Sequence, residues 1–335
     1  MSSKTMDSRR EFLFLYDIKM GNPNGDPDEN RPRVLPDGTY YVTDVRLKRF
    51  VRDFLKTRGK EILVDNIEGK TTNLTGRVVQ YLTQNSLARV EGRELVNILL
   101  DAFVDARMFG SSLAFKAEQS KDNESQDKEK KGSAKKKNWE PKPEPKTLTG
   151  PIQMNMGEVL HRAKSVDIHG TSVFASDETK SAGTFTTFFG LRYALIGFSG
   201  VANEHTATLS RMTNEDYSLF LKALWHGVRS AANTRTKVGQ IPRLLISIEY
   251  KTGEEYQIGR LHDYVKLIAS GTKQEDEWSS PEDYLVDLSR IVKMAGEQEN
   301  RIDAIKYALS EDISLSQSIP DTWCVLPIED LTEGC

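Results

Sequence analysis

EFLFLYDIKMGNPNGDPD at residues 11–28, continued by TDVRLKRFVRDFLKTR at residues 43–58, carries the most structural information in this chain. Glu11 to Lys19 is dense in Phe, Leu, Tyr and Ile and reads as a buried strand. It is closed by the Gly, Pro, Asn and Asp residues of Gly21 to Asp28, which favour tight turns. Thr43-Asp44 supplies a helix start, after which Leu47, Phe50, Val51 and Phe54 recur at helical spacing and share an inward face. Beyond this pair of elements, residues 57–105 carry helical pattern at Val78 to Leu82 and Glu94 to Phe103, an inserted helical lobe, and Ala106 to Ser111 is strand-like. Residues 116–147 are Lys, Glu, Ser, Asn and Pro with little apolar content except Trp139. Burial there cannot offset the entropy of ordering, so the segment reads as a disordered insert.

Order resumes at Leu148 to Val159, with a polar projecting segment from Ser165 to Gly183 leading into the β-branched and aromatic run Thr184 to Phe198. Leu219, Phe220, Ala223, Leu224 and Val228 make an apolar stripe in Asn214 to Ala231, and Pro242 to Tyr250 is again strand-like. The resulting order is strand, helix, strand, strand, helix, strand. This βαββαβ succession is the ferredoxin-like arrangement of RNA-recognition domains, and the fold class expected is α+β. No run matches the aromatic signature by which a simple RNA-recognition motif stacks bases on its sheet, so any function must come from the loops.

Of the 335 residues, 38% are hydrophobic and 28% charged, and no apolar run is long enough to span a bilayer, which excludes a membrane role. The first ten residues lack the apolar stretch of a secretory signal, and the two cysteines, Cys324 and Cys335, read as reduced bystanders; a cytoplasmic location is expected. The net charge of −3 conceals an asymmetry. Lys273 to Cys335 holds 5 Lys/Arg against 15 Asp/Glu, so residues 1–272 carry +7. A basic body suits a polyanionic partner, and residues 251–335 read as an acidic, mainly helical extension.

In the helix, Arg46, Lys48, Arg49, Arg52, Lys56 and Arg58 stand against a single acid, Asp53, and Lys48, Arg52 and Lys56 fall on one side. Point-charge lysines and forked arginines together suit phosphates, while the plainer reading is a solvated amphipathic face. The Gly21 to Pro27 loop could offer amides and Asn side chains to phosphate or ribose, or be only a turn; it has neither a Walker A nor a dinucleotide-binding spacing. The loop from Asn233 to Gln240 is polar and basic. Trp225, on an apolar helix face, reads as core. His161, His169, His205, His226 and His262 lack metal-ligand spacing and have no nucleophile motif beside them, so no catalytic residue, metal or cofactor is expected.

Leu13 to Asp17, Asn22 to Pro27 and Thr43 to Arg49 together resemble the opening of the CRISPR-associated Cas-seven family, within the RAMP superfamily. The resemblance is to the backbone subunit of type I Cascade, most like the type I-B branch. It continues through Asp105 to Gly110, Leu148 to Gln153, Phe185 to Phe198, Ala223 to Trp225 and Asn233 to Gln240, covering about residues 11–250. It implies a palm over residues 11–250 with a helical finger lobe at 57–105 and a thumb hairpin at 165–184. It also implies neighbouring copies of the chain stacked along a CRISPR RNA (crRNA), with other Cascade subunits as partners and target DNA reached through the guide. The guide-facing candidates carried over are Asn22, Asn24, Thr43, Arg46, Lys48, Arg49, Arg52, Arg107, Gln153, Arg192, Arg235 and Lys237, with Arg107 and Arg192 placed in strands.

Two other readings stay open. Related type III subunits cut target RNA with an acidic first-loop residue and a divalent metal, and Asp26, Asp28 and Glu29 occupy this loop. A protein-only assembly subunit would use the basic helix to bind a protein neighbour instead.

Overall fold

The structure, a computed structural model, describes residues 4–66, 73–87, 89–113, 141–171, 185–231 and 236–328. In chain order its elements are β1 (Arg10–Gly21), β2 (Tyr41–Val42), α1 (Asp44–Thr57), α2 (Leu74–Gln84), α3 (Gly92–Ala102), α4 (Val104–Phe109), β3 (Gly110–Ser112) and β4 (Thr147–Thr149). Next come β5 (Ile152–Met154), β6 (Gly157–Val159), β7 (Ser165–Thr171), β8 (Phe185–Ala202), α5 (Glu204–Ser210), α6 (Asn214–Ser230) and β9 (Gln240–Tyr250). The chain then adds β10 (Lys266–Ala269), β11 (Tyr284–Asp287), α7 (Ser289–Glu297), β12 (Ile302–Leu309) and β13 (Cys324–Val325).

The molecule is α+β, built on a central sheet ordered β13-β12-β9-β1-β8-β6-β2. β1 lies between β8 and β9, antiparallel to both. The expected strand over 150–159 is two short strands, because β8 is long enough to take three partners along one edge: β7 against Phe185–Leu191, β6 against Ile196–Gly197 and β5 against Gly200–Ala202. β7 pairs antiparallel with the first part of β8; residues 172–184 of the segment expected as a thumb hairpin lie outside the described residues, as do residues 116–140 of the 116–147 insert.

Alternation in β1 sends Phe12, Phe14, Tyr16 and Ile18 into a core shared with α1 and α6, and Leu13 and Leu15 into a second core on the opposite face. Trp225 is buried in the first of these, as its spacing implied. α1 and α6 cross closely at Gly227, where a Cβ would sit 2.7 Å from the Phe50 carbonyl oxygen. We expect Gly227→Ala to wedge the two helices apart and cost about 1–3 kcal/mol, read as a lower denaturation midpoint with unchanged m-value.

The second core corrects the reading of the C-terminal extension. Residues 251–328 hold one nine-residue α-helix and four strands, and β12 joins the central sheet beside β9. Alternating apolar positions in Tyr284–Leu288 and Ile302–Leu309 suit an extended chain, and the open edge of β9 supplies the partner that helical propensity alone ignores. Trp278, Tyr284, Val286, Leu288, Ile291 and Trp323 cover the sheet face opposite the helices. Asp17, Tyr193 and Arg243 bind the two layers: Arg243 Nε donates to Asp17 at 2.8 Å, Arg243 Nη1 reaches Asp312 at 3.0 Å, and Tyr193 meets both Asp17 and Tyr284. The acidic extension is therefore partly neutralised by the basic body, with Lys164–Asp276 (2.9 Å) a second such pair.

His161 is locked in that interlayer. Its Nδ1–H donates to the Arg162 carbonyl, Nε2 accepts the Leu195 N–H, and the ring lies between Tyr193 and Trp278. Burial pushes its pKa below the usual histidine value, and that of His262 likewise. A depressed folded pKa contributes stability above the unfolded value of about 6.5 that is lost as pH falls towards the folded one. The melting temperature should therefore drop between pH 6.5 and 5, and His161→Gln should flatten that part of the curve.

Ala106 to Ser111, expected as a strand, is α4 followed by the start of β3. A run this short fits either period, and tertiary contacts decide it. Asp105 caps the amides of Leu63 and Val64 at 2.8 and 3.2 Å, while Arg107 reaches Asp216 on α6. α2 and α3 keep a separate core with Leu63, Phe103 and Leu113.

Candidate nucleic-acid interface

The functional candidates divide between the two ends of β1. Gly21 pairs with Leu191, whereas Glu11 pairs with Val201, which in turn pairs with Gln153. Ten residues of strand put Gln153 about 33 Å from the first loop. Gln153 instead donates to the Gly150 carbonyl at 2.9 Å, and Arg107, in a helix and not a strand, forms a two-pronged pair with Asp216 at 2.8 Å on each arm. Neither belongs to the cluster at the other end.

At the far end of β1 the first loop, the start of α1 and the turn before β9 meet. Asn24 Oδ1 accepts both the N–H and the hydroxyl of Thr43, at 2.9 and 2.8 Å, and Thr43 caps α1 by accepting the Arg46 N–H. Asn22 is buried, with its backbone N–H on the Thr236 carbonyl at 3.0 Å and its amide on the Asn30 carbonyl at 2.6 Å. Gly21 allows this approach, since a Cβ there would lie 2.9 Å from the Thr236 carbonyl oxygen. Lys237 then ties the loops together: its Nζ donates to the carbonyls of Asn22 and Pro23, the latter at 3.0 Å.

Arg46 and Lys237 give this end its electrostatic character. Neither forms an ion pair among the described residues; Lys237 lies within reach of the Arg46 charge, and Arg46 within reach of Asp53 and Arg49. Arg46 rests on the Phe50 ring at 4.4 Å, and burial pushes its pKa down. Burial, and secondarily Arg46, bring the Lys237 ammonium down to about 7. Four buried side-chain atoms here have no hydrogen-bond partner: Tyr16 Oη, Asn22 Oδ1, Arg46 Nε and Gln240 Oε1. Buried polar atoms are ordinarily satisfied, so this concentration of two atoms able to donate, Tyr16 Oη and Arg46 Nε, and two acceptors, Asn22 Oδ1 and Gln240 Oε1, sets this end of the sheet apart.

The open cationic stripe expected along α1 is corrected. Lys48 pairs with Asp44 (2.9 Å), Arg49 with Asp53 (2.6 Å) and Asp65 (3.2 Å), Arg52 with buried Asp105 (2.8 Å), and Lys56 with Asp65. The local excess of one sign misled because Asp44 and Asp53 on α1 itself, Asp65 in the segment that follows it and Asp105 on α4 each take up one or two of these cations. Arg192 lies in β8, as expected, with its side chain exposed; Arg235 lies outside the described residues. Asp26 accepts the amide N–H groups of Asp28, Glu29 and Asn30 at 2.9–3.0 Å, and those bonds hold its carboxyl below the usual range. Its role in this geometry is to shape the turn.

Sequence reading passed over Tyr16 and Gln240. Tyr16 is indistinguishable from core in an apolar strand, and Gln240 was one polar residue among eight in its motif; only the missing partners single them out.

A family model described as "CRISPR-associated protein Cas7" matches residues 8–289. The chain belongs to the Cas7 family. The match runs well past residue 250, which agrees with the extension's place in the second core. "CRISPR-associated protein Cas7" of Haloferax volcanii is 29% identical over 305 residues, covering 89% of this chain and 86% of its own length. Among solved structures, a chain of "CRISPR RNA-guided surveillance complex, pre-nicking" is similar with a TM-score of 0.53 at 13% identity over 95% of each chain. A chain of "CRISPR RNA-guided surveillance complex" gives 0.47, also at 13%, over 94% of each. At that identity the first of these likenesses is one of fold alone.

Proposed function

We propose that this Cas7-family chain is a non-catalytic backbone subunit of a type I Cascade. Copies of it would stack along the crRNA spacer, hold its phosphate and ribose groups, and leave bases free to pair with target DNA. The strand order β9-β1-β8-β6, all antiparallel with α1 and α6 behind it, supports a ferredoxin-like palm. A simple RNA-recognition domain binds on the sheet face opposite its helices, but here the extension covers that face, which favours the loop end of β1 as the RNA contact. The observation that carries the reading is the pair of unpaired cations, Arg46 and Lys237, among buried polar atoms that lack partners.

In this reading Arg46, Lys237, Arg192 and Arg235 face the strand. Asn22, Asn24 and Thr43 hold the loop in shape, and Lys48, Arg49 and Arg52 brace α1. Residues 165–184 act as a thumb towards the next copy. The test is whether the purified full chain carries RNA of uniform length and whether its assembly on RNA weakens with salt, by about 0.7 in the logarithmic slope for each phosphate contacted. Oligomers that form equally well without RNA and at high salt would overturn the proposal in favour of a protein-only assembly. Metal-dependent cutting of guide-paired RNA, lost in Asp26→Ala with assembly intact, would replace it with a nuclease.

A further inference from the structure

We infer that the apolar tip of a hairpin arm, residues 33–41, docks into the groove beside residues 325–327 of a second copy of the chain, so that copies join edge to edge in one direction. The inference rests on the reading that copies stack along a strand, and it names a joint additional to residues 165–184.

The arm is internally bonded and its tip is apolar. Leu35 N–H donates to the Thr39 carbonyl at 2.8 Å, Gly38 N–H to the Leu35 carbonyl at 2.9 Å, and Val34 bridges to Tyr40 across the turn. Gly38 supplies the positive φ of 91° that closes it, and Asp37 Oδ1 accepts the Thr39 N–H at 2.9 Å. The turn is thus shaped without help from the rest of the chain, yet Val34, Leu35, Pro36 and Asp37 are all exposed, Val34 by 51%. One exposed apolar residue is ordinary. Three in a row at the end of a bonded arm form a contact surface.

The groove is the counterpart of that tip in size and charge. Its volume is about 900 Å³, and it is lined by Val104 of α4, Leu219 of α6 and Val325, Leu326 and Pro327, with Lys60 on its wall. A cleft of this size holds a few side chains. Val325 on its rim is 69% exposed. Lys60 forms no ion pair among the described residues, and Asp37 has no cationic partner among them, so docking brings the two charges together beside an apolar floor. The arm leads into β2 and the groove is rimmed by β13, the first and last strands along the central sheet. Six strand spacings put them about 29 Å apart, so one copy does not fill its own groove. A knob on one edge and a hole on the other make a heterologous contact, which grows into an open filament where its rotation does not close a ring. That is the form a strand carrying several copies requires.

The experiment is disulfide cross-linking of the full-length chain on a poly-uridine strand long enough for several copies. Leu35→Cys and Val325→Cys are combined in a chain that also carries Cys324→Ser and Cys335→Ser, and the assembly is oxidised with copper phenanthroline. The expected result is a ladder of linked multimers on a non-reducing gel; a mixture of the two single variants should stop at the dimer, and neither single variant should link to itself. Leu35→Asp, at an exposed position outside the proposed RNA contacts, should leave the binding of one copy to a short strand unchanged. On the long strand it should lower cooperativity between neighbours roughly tenfold to a hundredfold, the worth of burying a leucine. Copies that sediment together on the strand without giving a ladder, or with cooperativity unchanged in Leu35→Asp, would overturn the joint and leave stacking standing. Linkage within either single variant alone would mean a two-fold contact and overturn it as well. Failure of the chain to assemble on the strand would overturn both readings.

Discussion

Replacing Arg46 and Lys237 together with methionine should lower affinity for single-stranded RNA about 100-fold, equally for all sequences, without unfolding the chain. Hydrogen bonds to charged groups contribute about 1.5–3 kcal/mol each, and every 1.4 kcal/mol is a factor of ten in affinity. The loss should be sequence-independent because neither residue is placed to read base edges; both would serve the backbone. If they share one phosphate, the logarithmic salt slope should become shallower by about 0.7, the value of a single contact on a single strand. Fluorescence anisotropy at several salt concentrations measures both quantities. Affinity within twofold of the parent chain would rule out this end of β1 as the RNA contact. Relief of the repulsion between the two cations should offset part of the loss of the Lys237 hydrogen bonds to the Asn22 and Pro23 carbonyls, so the affinity is read per folded molecule, with the folded fraction taken from urea denaturation.

Arg52→Ala should act in the opposite sense, with a large loss of stability and little change in RNA affinity per folded molecule. The Asp105 side chain is 1% exposed and that of Arg52 only 11%, and they meet at 2.8 Å. Breaking a buried pair from one side leaves a charge without its counter-ion and costs about 3–5 kcal/mol. The Leu63 and Val64 amides still serve Asp105, which puts the expectation near 3 kcal/mol, read from urea denaturation. A variant that folds as well as its parent but loses RNA would return α1 to the role its charge pattern first suggested.

Those two experiments separate what looked alike in one helix. Arg46 and Arg52 are six residues apart in the same basic run, and pattern alone treats them equally. The fold distinguishes them because α4 brings Asp105 beneath Arg52, while the chain past α6 brings Lys237 towards Arg46. The Asn-Pro-Asn-Gly-Asp loop shows a similar division. Its turn chemistry could be read from residue types, but Asn24 proves to be bonded to Thr43, and Asp26 to the amides beyond it, instead of standing free to meet a ligand.

Local information was enough for β1, α1, α6 and β9, where hydrophobic period, cap and turn residues agree over ten or more positions, and enough to recognise the Cas7 motifs in order. It failed for Ala106 to Ser111, too short to show a period, and for the extension, where acidic composition hid an alternation that pays off only beside the free edge of β9. Residue types alone thus determined the family, the strands and helices β1, α1, β8, α6 and β9, and the basic character of the body. Which cations remain without an acid, and how the second sheet face is covered, depended on Asp65 just past α1, on Asp105 on α4 and on the second core brought by the extension. Electrostatic pairing and burial act through space at a few ångströms, and sequence separation carries almost no record of them.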